Sequence, residues 1–237
     1  MEKVADGVWL LRGDLGKSMN IYFIEDGDGV VQFDAGTKAM TKQAKAAAEQ
    51  LGGLKKVVLG HGHADHRGTA PSMGAPVQCH PDEVADAEDE AAIDSYMEIS
   101  TLPALRARLA YPLLLRRWDG GPVQIDGTVS EGDRVAGFEV VEFPGHARGL
   151  IGLWRESDRV ALVSDVVYLI DSVKLGKPLP RGEASVPHPA WAWDHAKAKQ
   201  SVRKLAALDP TVVGAGHAEP LVADSLRETL ERAAEKY

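Results

Sequence analysis

The sequence at residues 61–66 is HGHADH, and it comes shortly after a short apolar run, residues 57–59, that is predicted as a strand. His61 and His63 are two residues apart, so in an extended segment both imidazoles can face one metal ion. Asp65 and His66 lie past a bend and can turn toward a second ion. The spacing therefore predicts two metal half-sites at the carboxyl end of a strand, where α/β sheets gather ligands.

Four ligands from one loop cannot complete two coordination spheres, so further His and Asp residues are expected at other strand ends. Three such residues each follow a run that is predicted as a strand, at 138–143, 160–163 and 211–213. They are His146, Asp165 and His217. Imidazole and carboxylate ligands favour zinc, although iron, cobalt and manganese accept the same donors. With Cys79 as the single cysteine, the sequence predicts two divalent ions in a catalytic site rather than a structural thiolate site.

The rest of the chain is predicted as two halves in which strands precede helices. In the first half an antiparallel meander leads into a helix, and in the second half a further strand and two helices accompany the runs given above. The segments are strands at 8–11, 21–24, 30–33 and 150–154, and helices at 38–51, 195–208 and 223–236. We predict an α/β fold with one domain over 1–237, a four-layer αβ/βα sandwich of two sheets with helices on both outer sides.

A helical insert is predicted between the halves, at about 82–121. Its apolar residues recur at roughly helical spacing, and Pro103 and Pro112 interrupt them, which predicts two or three short helices. The apolar residues are Ile93, Tyr96, Met97, Leu102, Leu105, Leu109, Leu113, Leu114 and Trp118. Such a stripe usually belongs to the core, and the alternatives are a cap over the substrate or a dimer surface.

Composition excludes several classes of function. The chain has 237 residues and a formal net charge of −8 with no basic stripe, so no nucleic-acid partner is expected. A single cysteine allows no internal disulfide, and neither a signal peptide nor a membrane span is recognisable, so a cytoplasmic protein without a membrane partner is expected. A small-molecule substrate is expected, and the sequence leaves a homodimer open.

Five motifs in order, from Asp34 to His217, resemble those of the metallo-β-lactamase fold superfamily. They are FDAG at 33–36, HGHADH at 61–66, and the segments that carry His146, Asp165 and His217. The resemblance implies that His61, His63 and His146 hold one ion, that Asp65, His66 and His217 hold the other, and that Asp165 bridges them. It also implies that Asp34 orients ligands instead of binding metal.

The same resemblance implies a dinuclear metal-dependent hydrolase. A bridging hydroxide would attack an acyl carbonyl, and Asp65 would carry the proton to the leaving group. Tyr168, three residues after Asp165, resembles the tyrosine that quorum-quenching lactonases of the superfamily keep beside the metals, and the other interpretation is a packed tyrosine on a turn. The expected substrate is a lactone similar to an acyl-homoserine lactone, or a related ester.

Other activities in the superfamily remain as alternatives. They are a thioesterase of the glyoxalase II type, an iron-dependent sulfur dioxygenase, a promiscuous β-lactamase, and a binding protein with a vestigial site. Phe143 before the Pro-Gly-His segment and Ala147-Arg148-Gly149 after it depart from the usual third motif, and Arg148 at an anionic substrate would favour the thioesterase.

Overall fold

The first half of the protein forms a sheet that positions the predicted metal loop. The structure is a computed structural model that describes residues 1–89 and 97–237. The strands of this sheet, in spatial order, are β1 Glu2–Ala5, β2 Val8–Gly13, β3 Met19–Asp26, β4 Gly29–Phe33, β5 Leu54–Val58, β6 Val77–Cys79 and β7 Gly127–Thr128. Strands β1 to β4 pair antiparallel and β4 to β7 pair parallel, which confirms the predicted meander.

The second half forms another sheet and a small ribbon. Its strands in chain order are β8 Arg134–Val135, β9 Phe138–Glu142, β10 Ile151–Arg155, β11 Val160–Ser164, β12 Ile170–Asp171, β13 Lys177–Pro178, β14 Val212–Ala215 and β15 Leu221–Val222. The sheet runs β15-β14-β11-β10-β9-β8, whereas β12 and β13 pair only with each other among the described strands. Because β11 and β14 are parallel neighbours, the segments that follow them emerge at the same edge of the sheet.

The helices lie on the outer faces or beside the site. The α-helices are α1 Thr41–Gln50, α2 Ala64–Arg67, α3 Val84–Glu88, α4 Leu105–Trp118, α5 His195–Ala207 and α6 Arg227–Ala234. Short 3-10 helices lie at Leu15–Lys17, Lys38–Met40, Ala70–Ser72, Pro81–Glu83, Ile99–Thr101, Ser172–Lys174 and Pro189–Trp191. Within the described ranges, no helix combines the length and the apolar character needed to cross a membrane.

Strand β3 shows why the sheets become the middle layers of a sandwich. Tyr22 and Ile24 are buried in the cluster between the sheets, together with residues of the second sheet such as Phe138. Ile21 and Phe23 are buried on the opposite face, in the cluster that includes the buried alanines of α1. Since side chains alternate along a strand, a strand that is apolar on both faces must be covered on both. The predicted four-layer arrangement is confirmed.

The insert departs from the sequence prediction in two ways. Helix α4 continues through Pro112, although a proline interruption was predicted there. Burial of Ala107, Tyr111 and Trp118 on one side of α4 offsets the cost of an internal proline, about 3 kcal/mol. Ile93 and Tyr96, which were assigned to the same apolar stripe, lie outside the described residues.

The second departure concerns which leucines of the insert are buried. Leu102 is fully buried, and Met97 and Leu114 pack against the core of the second half. Leu105, Leu109 and Leu113 are exposed, so of the interpretations that the sequence left open for the stripe, the core one does not hold for these three. A spacing of four residues places them on the side of α4 that faces away from the core.

Candidate metal centre

The fold brings all seven predicted ligand side chains together. His61 and His63 lie in the loop after β5, while Asp65 and His66 are in α2. The remaining three follow β9, β11 and β14, at the edge where those strands end. They are His146, Asp165 and His217.

The first group of candidate ligands contains three histidines. His146 Nε2 lies 3.0 Å from His63 Nδ1 and 3.3 Å from His61 Nε2. Ligands at zinc–nitrogen distances of about 2.0–2.1 Å in a tetrahedral site are about 3.3 Å from one another. The three nitrogens are therefore spaced as ligands of one ion would be.

The second group contains Asp65, His66 and His217, whose donor atoms lie within 4.8 Å of one another. Asp65 Oδ1 is 3.9 Å from His66 Nε2, and Asp65 Oδ2 is 3.7 Å from His217 Nε2. This group has one carboxylate and two imidazoles, a donor set that suits zinc and iron alike.

Asp165 lies between the two groups. Its Oδ1 is 3.4 Å from His66 Nε2, and its Oδ2 is 3.3 Å from His217 Nε2 and 3.5 Å from His146 Nε2. A single carboxylate thus reaches donor atoms of both groups, as a bridging ligand requires.

Buried polar atoms without partners test whether metal fits these residues. Within the described ranges, His66 Nε2 and Asp165 Oδ1 are buried and have no hydrogen-bond partner. An unpaired buried polar group costs about 1–3 kcal/mol, and more when it is charged. Both atoms face the region between the two groups, so metal coordination would satisfy them, and the residues fit a two-ion centre.

In the three-histidine group and at Asp165 the pKa shifts favour the protonation states that bind metal. Burial, followed by neighbouring histidines, lowers the pKa values of His61 and His63 well below the usual range, and burial lowers the pKa of His146 to about 4. These imidazoles are therefore neutral at neutral pH, the form that coordinates. Burial alone would raise the pKa of Asp165, but His217 and His66 outweigh it and hold that pKa well below the usual range. Burial alone would lower the pKa values of His66 and His217, but the charge of Asp165 outweighs it and raises both above the usual range.

Two polar side chains orient histidines of the site through their other ring nitrogen. Asp34 Oδ2 is 3.0 Å from His66 Nδ1, and Asp34 Oδ1 accepts a hydrogen bond from the Gly60 amide at 2.8 Å. Ser164 Oγ lies 3.1 Å from His61 Nδ1. Ligand atoms of Asp34, His61 and His66 also lie within 4.8 Å of one another, so Asp34 is close enough to be considered as a metal ligand. Because its oxygens already face Gly60 and His66 Nδ1, we assign it the orienting role.

Strained backbone accompanies this arrangement. Asp34 and Ser164 have φ values of 58° and 47°, in the left-handed region that non-glycine residues rarely adopt. Both residues lie where strands β4 and β11 end, and both contact a histidine of the site. Such strain is typical of positions where the surrounding structure holds a functional side chain in place.

Glu83 is a buried residue that sequence reasoning missed. Its carboxylate accepts hydrogen bonds from the Gly62 amide at 2.8 Å and from the Gly149 amide at 2.7 Å. Gly62 lies between His61 and His63, and Gly149 lies three residues after His146, so one side chain joins the two loops of the three-histidine group. Burial raises the pKa of Glu83 to about 7. Acidic residues are common in the first turn of a helix, and Glu83 lies in the short helix Pro81–Glu83. The local sequence therefore contains no signal that Glu83 joins the two loops.

We expect Glu83→Gln to weaken metal binding at the three-histidine group by roughly ten- to a hundredfold, the usual cost of removing a residue that supports metal ligands. A glutamine amide can accept one of the two hydrogen bonds through its oxygen, but its NH₂ group cannot accept the other. Zinc titration of the apoprotein against a coloured chelator should show one binding step weakened and the other unchanged.

Glu88→Gln is the matched control for this prediction. Glu88 is also a glutamate that accepts a backbone hydrogen bond, but it is exposed and its bond comes from Ile125, which is not in a ligand loop. Both binding steps should keep their affinity in this variant. Equal weakening of both steps in Glu83→Gln, with a lower melting temperature, would leave Glu83 a purely structural residue.

A cavity opens beside the two groups of ligands. It comprises about 610 Å³, including space open to solvent, and Asp65, Asp165 and His217 line it together with Tyr168. The Tyr168 ring lies 5.8 Å from the His146 ring and 5.9 Å from the His217 ring, between centroids. The residue is 5% exposed. Tyr168 therefore stands between one histidine of each group and faces the cavity.

The opposite wall of the cavity is apolar and comes largely from α4. Leu114, Leu115 and Trp118 line it, with Met97 before the helix and Trp191 from the second half. No lysine or arginine is present among the described residues that line the cavity. Arg148 is exposed and lies over the Trp193 ring at 5.9 Å, outside this cavity. The lining of the cavity thus favours an uncharged, partly apolar small molecule beside the candidate metal-binding residues.

Comparisons with known proteins agree with this architecture. A family model described as the metallo-beta-lactamase superfamily matches residues 16–217. The chain is 29% identical over 238 residues to the probable metallo-hydrolase YflN of Bacillus subtilis (strain 168), with 92% of this chain and 87% of that protein covered.

Two solved structures share the fold. The metallo-beta-lactamase family protein TTHA1429 from Thermus thermophilus superposes with a TM-score of 0.68 at 23% identity, covering 97% of this chain and 79% of that one. TTHA1623, solved in a di-iron-bound form, superposes with a TM-score of 0.62 at 22% identity, covering 92% and 94%. At these identities the superpositions show a common fold.

Proposed function

Because this chain belongs to the metallo-beta-lactamase superfamily, we propose that it is a hydrolase with two divalent ions, acting on a lactone or a related ester. The observation that carries the proposal is the position of Asp165, whose two oxygens reach donor atoms of both ligand groups. The name of the Bacillus subtilis relative, a probable metallo-hydrolase, and the di-iron form of a structural neighbour support it. We propose zinc as the metal, and the donor set is equally compatible with iron.

Ions bound here would lower the pKa of water toward neutrality and polarise an acyl carbonyl. Asp65 differs from the other six ligand residues because it alone is only partly buried, and it lines the cavity. A carboxylate in contact with both the ligand group and the substrate space is placed to carry a proton to the leaving group. We assign that role to Asp65.

Tyr168 is the proposed hydrogen-bond donor to the substrate. Burial, followed by the charges of Asp165 and Asp65, raises the pKa of Tyr168 well above its usual value, so the phenol keeps its proton at neutral pH. It faces the cavity beside His146 and His217. A donor at this place can stabilise the negative charge that develops on a carbonyl or alkoxide oxygen.

The cavity wall supports an ester or lactone over the other substrates. Leu114, Leu115 and Trp118 offer apolar contacts to an acyl chain, and the absence of cationic side chains among the described lining residues disfavours recognition of an anion. Arg148, whose placement at a substrate anion would favour a thioesterase of the glyoxalase II type, lies over the Trp193 ring and does not line the cavity.

We expect Tyr168→Phe to lower kcat/KM for lactones roughly ten- to a hundredfold, which corresponds to about 1.4–2.7 kcal/mol in the transition state. An alkoxide is a poor leaving group and gains from a phenolic hydrogen bond, whereas a thiolate leaves readily without one. Hydrolysis of thioesters with the same acyl chain should therefore change little. Initial rates on matched lactones and thioesters measure the difference.

Tyr111→Phe is the matched control. Tyr111 lines the same cavity, but its hydroxyl donates to the Ser172 carbonyl at 2.6 Å. Its loss should affect lactones and thioesters equally. Wild-type protein that cleaves thioesters far better than any lactone, combined with no effect of Tyr168→Phe on either, would exclude the lactonase while leaving a dinuclear hydrolase intact.

A further inference from the structure

Helix α4 has an exposed face that neither the fold nor the proposed hydrolysis uses. Leu105, Leu109 and Leu113 are 64%, 67% and 68% exposed and follow one another at intervals of four residues. At about 100° per residue such leucines form one continuous strip along the helix. Exposed leucines in isolation are ordinary, but an aligned strip of them indicates a surface that contacts something apolar.

Four arginines accompany this strip. Arg106, Arg108, Arg116 and Arg117 are all exposed, and the sequence of α4 contains no acidic residue. None of them forms an ion pair with another residue of the described ranges. At about 100° per residue, Arg108 borders the leucine strip on one side while Arg106 and Arg117 border it on the other. The helix is therefore a concentrated positive surface in a chain whose net charge is −8.

We propose that this face of α4, the leucine strip with its four arginines, docks on an anionic lipid surface. An apolar strip with cationic borders matches a bilayer interface, where leucines enter the headgroup region and arginines contact lipid phosphates. Docking on a surface requires no membrane span, so it is compatible with the lack of a spanning helix in the described chain. The proposal departs from the expectation of no membrane partner, which rested on the lack of a recognisable signal peptide and membrane span in the sequence.

A second copy of the chain fits this face less well. Pairing two α4 helices about a twofold axis brings the same surface of both copies together. Arg106 and Arg108 of one helix would then approach Arg116 and Arg117 of the other in an antiparallel pair, and α4 offers no acid to compensate them. Like charges at short range oppose such a contact.

Docking has a consequence for the cavity, because α4 would lie between the cavity and the lipid surface. The opposite side of the same helix supplies Leu114, Leu115 and Trp118 to the wall of the cavity. A docked helix would therefore place the apolar wall next to the acyl-chain region of a lipid layer, from which a long-chain acyl substrate could enter. This consequence rests on the proposed function, whereas docking itself does not.

The test is sedimentation of the full chain with vesicles, measured without substrate. We expect binding to vesicles of equal parts phosphatidylglycerol and phosphatidylcholine, little binding to phosphatidylcholine alone, and release by high salt. Replacing Leu105, Leu109 and Leu113 together by serine should weaken partitioning by roughly tenfold or more, and so should Arg108→Gln with Arg116→Gln. All five side chains are exposed, so the variants should fold.

Val222→Ser is the control, since Val222 is an apolar residue that is 71% exposed on the distant strand β15. Its partitioning should equal that of the wild type. Failure of the wild-type protein to bind anionic vesicles, or equal binding by the leucine and arginine variants, would overturn the proposal. A dimer that dissociates in the serine variant would instead assign the face to a second copy. Because no hydrolysis is measured, these outcomes are independent of the proposed activity.

Discussion

Replacing Asp165 with asparagine is expected to lower kcat/KM by on the order of a thousandfold or more, the largest effect of any single substitution considered. The carboxylate reaches His66, His217 and His146 with its two oxygens. An asparagine amide is neutral and has one acceptor oxygen, so it can neither balance the charge of two ions nor join them. Elemental analysis of the purified variant should show a deficit of metal together with the loss of activity.

Asp158→Asn is the matched control, because Asp158 precedes strand β11 and Asp165 directly follows it. Asp158 pairs with Arg155 at 2.7 Å near the protein surface, and both metal content and rate should be unchanged in its variant. A chelator should remove hydrolysis from the wild-type protein, and adding zinc or iron back should restore it. Chelated protein that retains full activity, or an Asp165→Asn variant that retains both metal and rate, would contradict the two-ion scheme.

Asp65→Asn should lower kcat by roughly a hundred- to a thousandfold, within the usual range for the loss of a general acid. Metal content should fall much less, since Asp65 contributes to one group only and His66 and His217 remain. Asp65 is the ligand residue most open to the cavity, which gives it access to a leaving group. Aryl esters whose leaving groups have progressively lower pKa values provide the measurement.

The defect of Asp65→Asn should shrink as the leaving group improves, because a phenolate of low pKa departs without a proton. His217→Ala is the comparison, since it removes a ligand from the same group without removing the proposed acid. Its defect should be independent of the leaving group. If both variants lose metal and rate in parallel across the ester series, Asp65 is a ligand only.

Much of the fold could be predicted because its signals are local. The meander, helix α1 and the strands around His146 and Asp165 follow from short apolar runs between turn residues and from helix formers. Helix α4 could not be predicted in full, because Pro112 is a local signal to stop. Packing of Tyr111 and Trp118 against distant residues outweighs that signal.

The candidate ligands were predictable for a similar reason. All seven lie in segments that follow strands, with Asp65 and His66 in the short helix α2 after β5. The residue types and their spacing are visible in the chain itself, so the sequence indicates both the ligands and their two half-sites. The sequence could not show that Glu83 joins the loops of Gly62 and Gly149, since these three positions are far apart along the chain. A hydrogen bond between distant segments leaves no periodic trace in a single sequence.

What the sequence by itself determined is most of the longer strands and helices and the seven side chains that could hold metal, because these depend on residue type and on spacing along the backbone. Only the tertiary structure decided which faces are buried and which groups meet. It placed Asp165 between the two groups, Tyr168 beside them, and Leu105, Leu109 and Leu113 in solvent although their spacing equals that of a buried stripe. The physical reason is that periodicity shows that a helix has an apolar side, whereas burial depends on which other elements pack against that side.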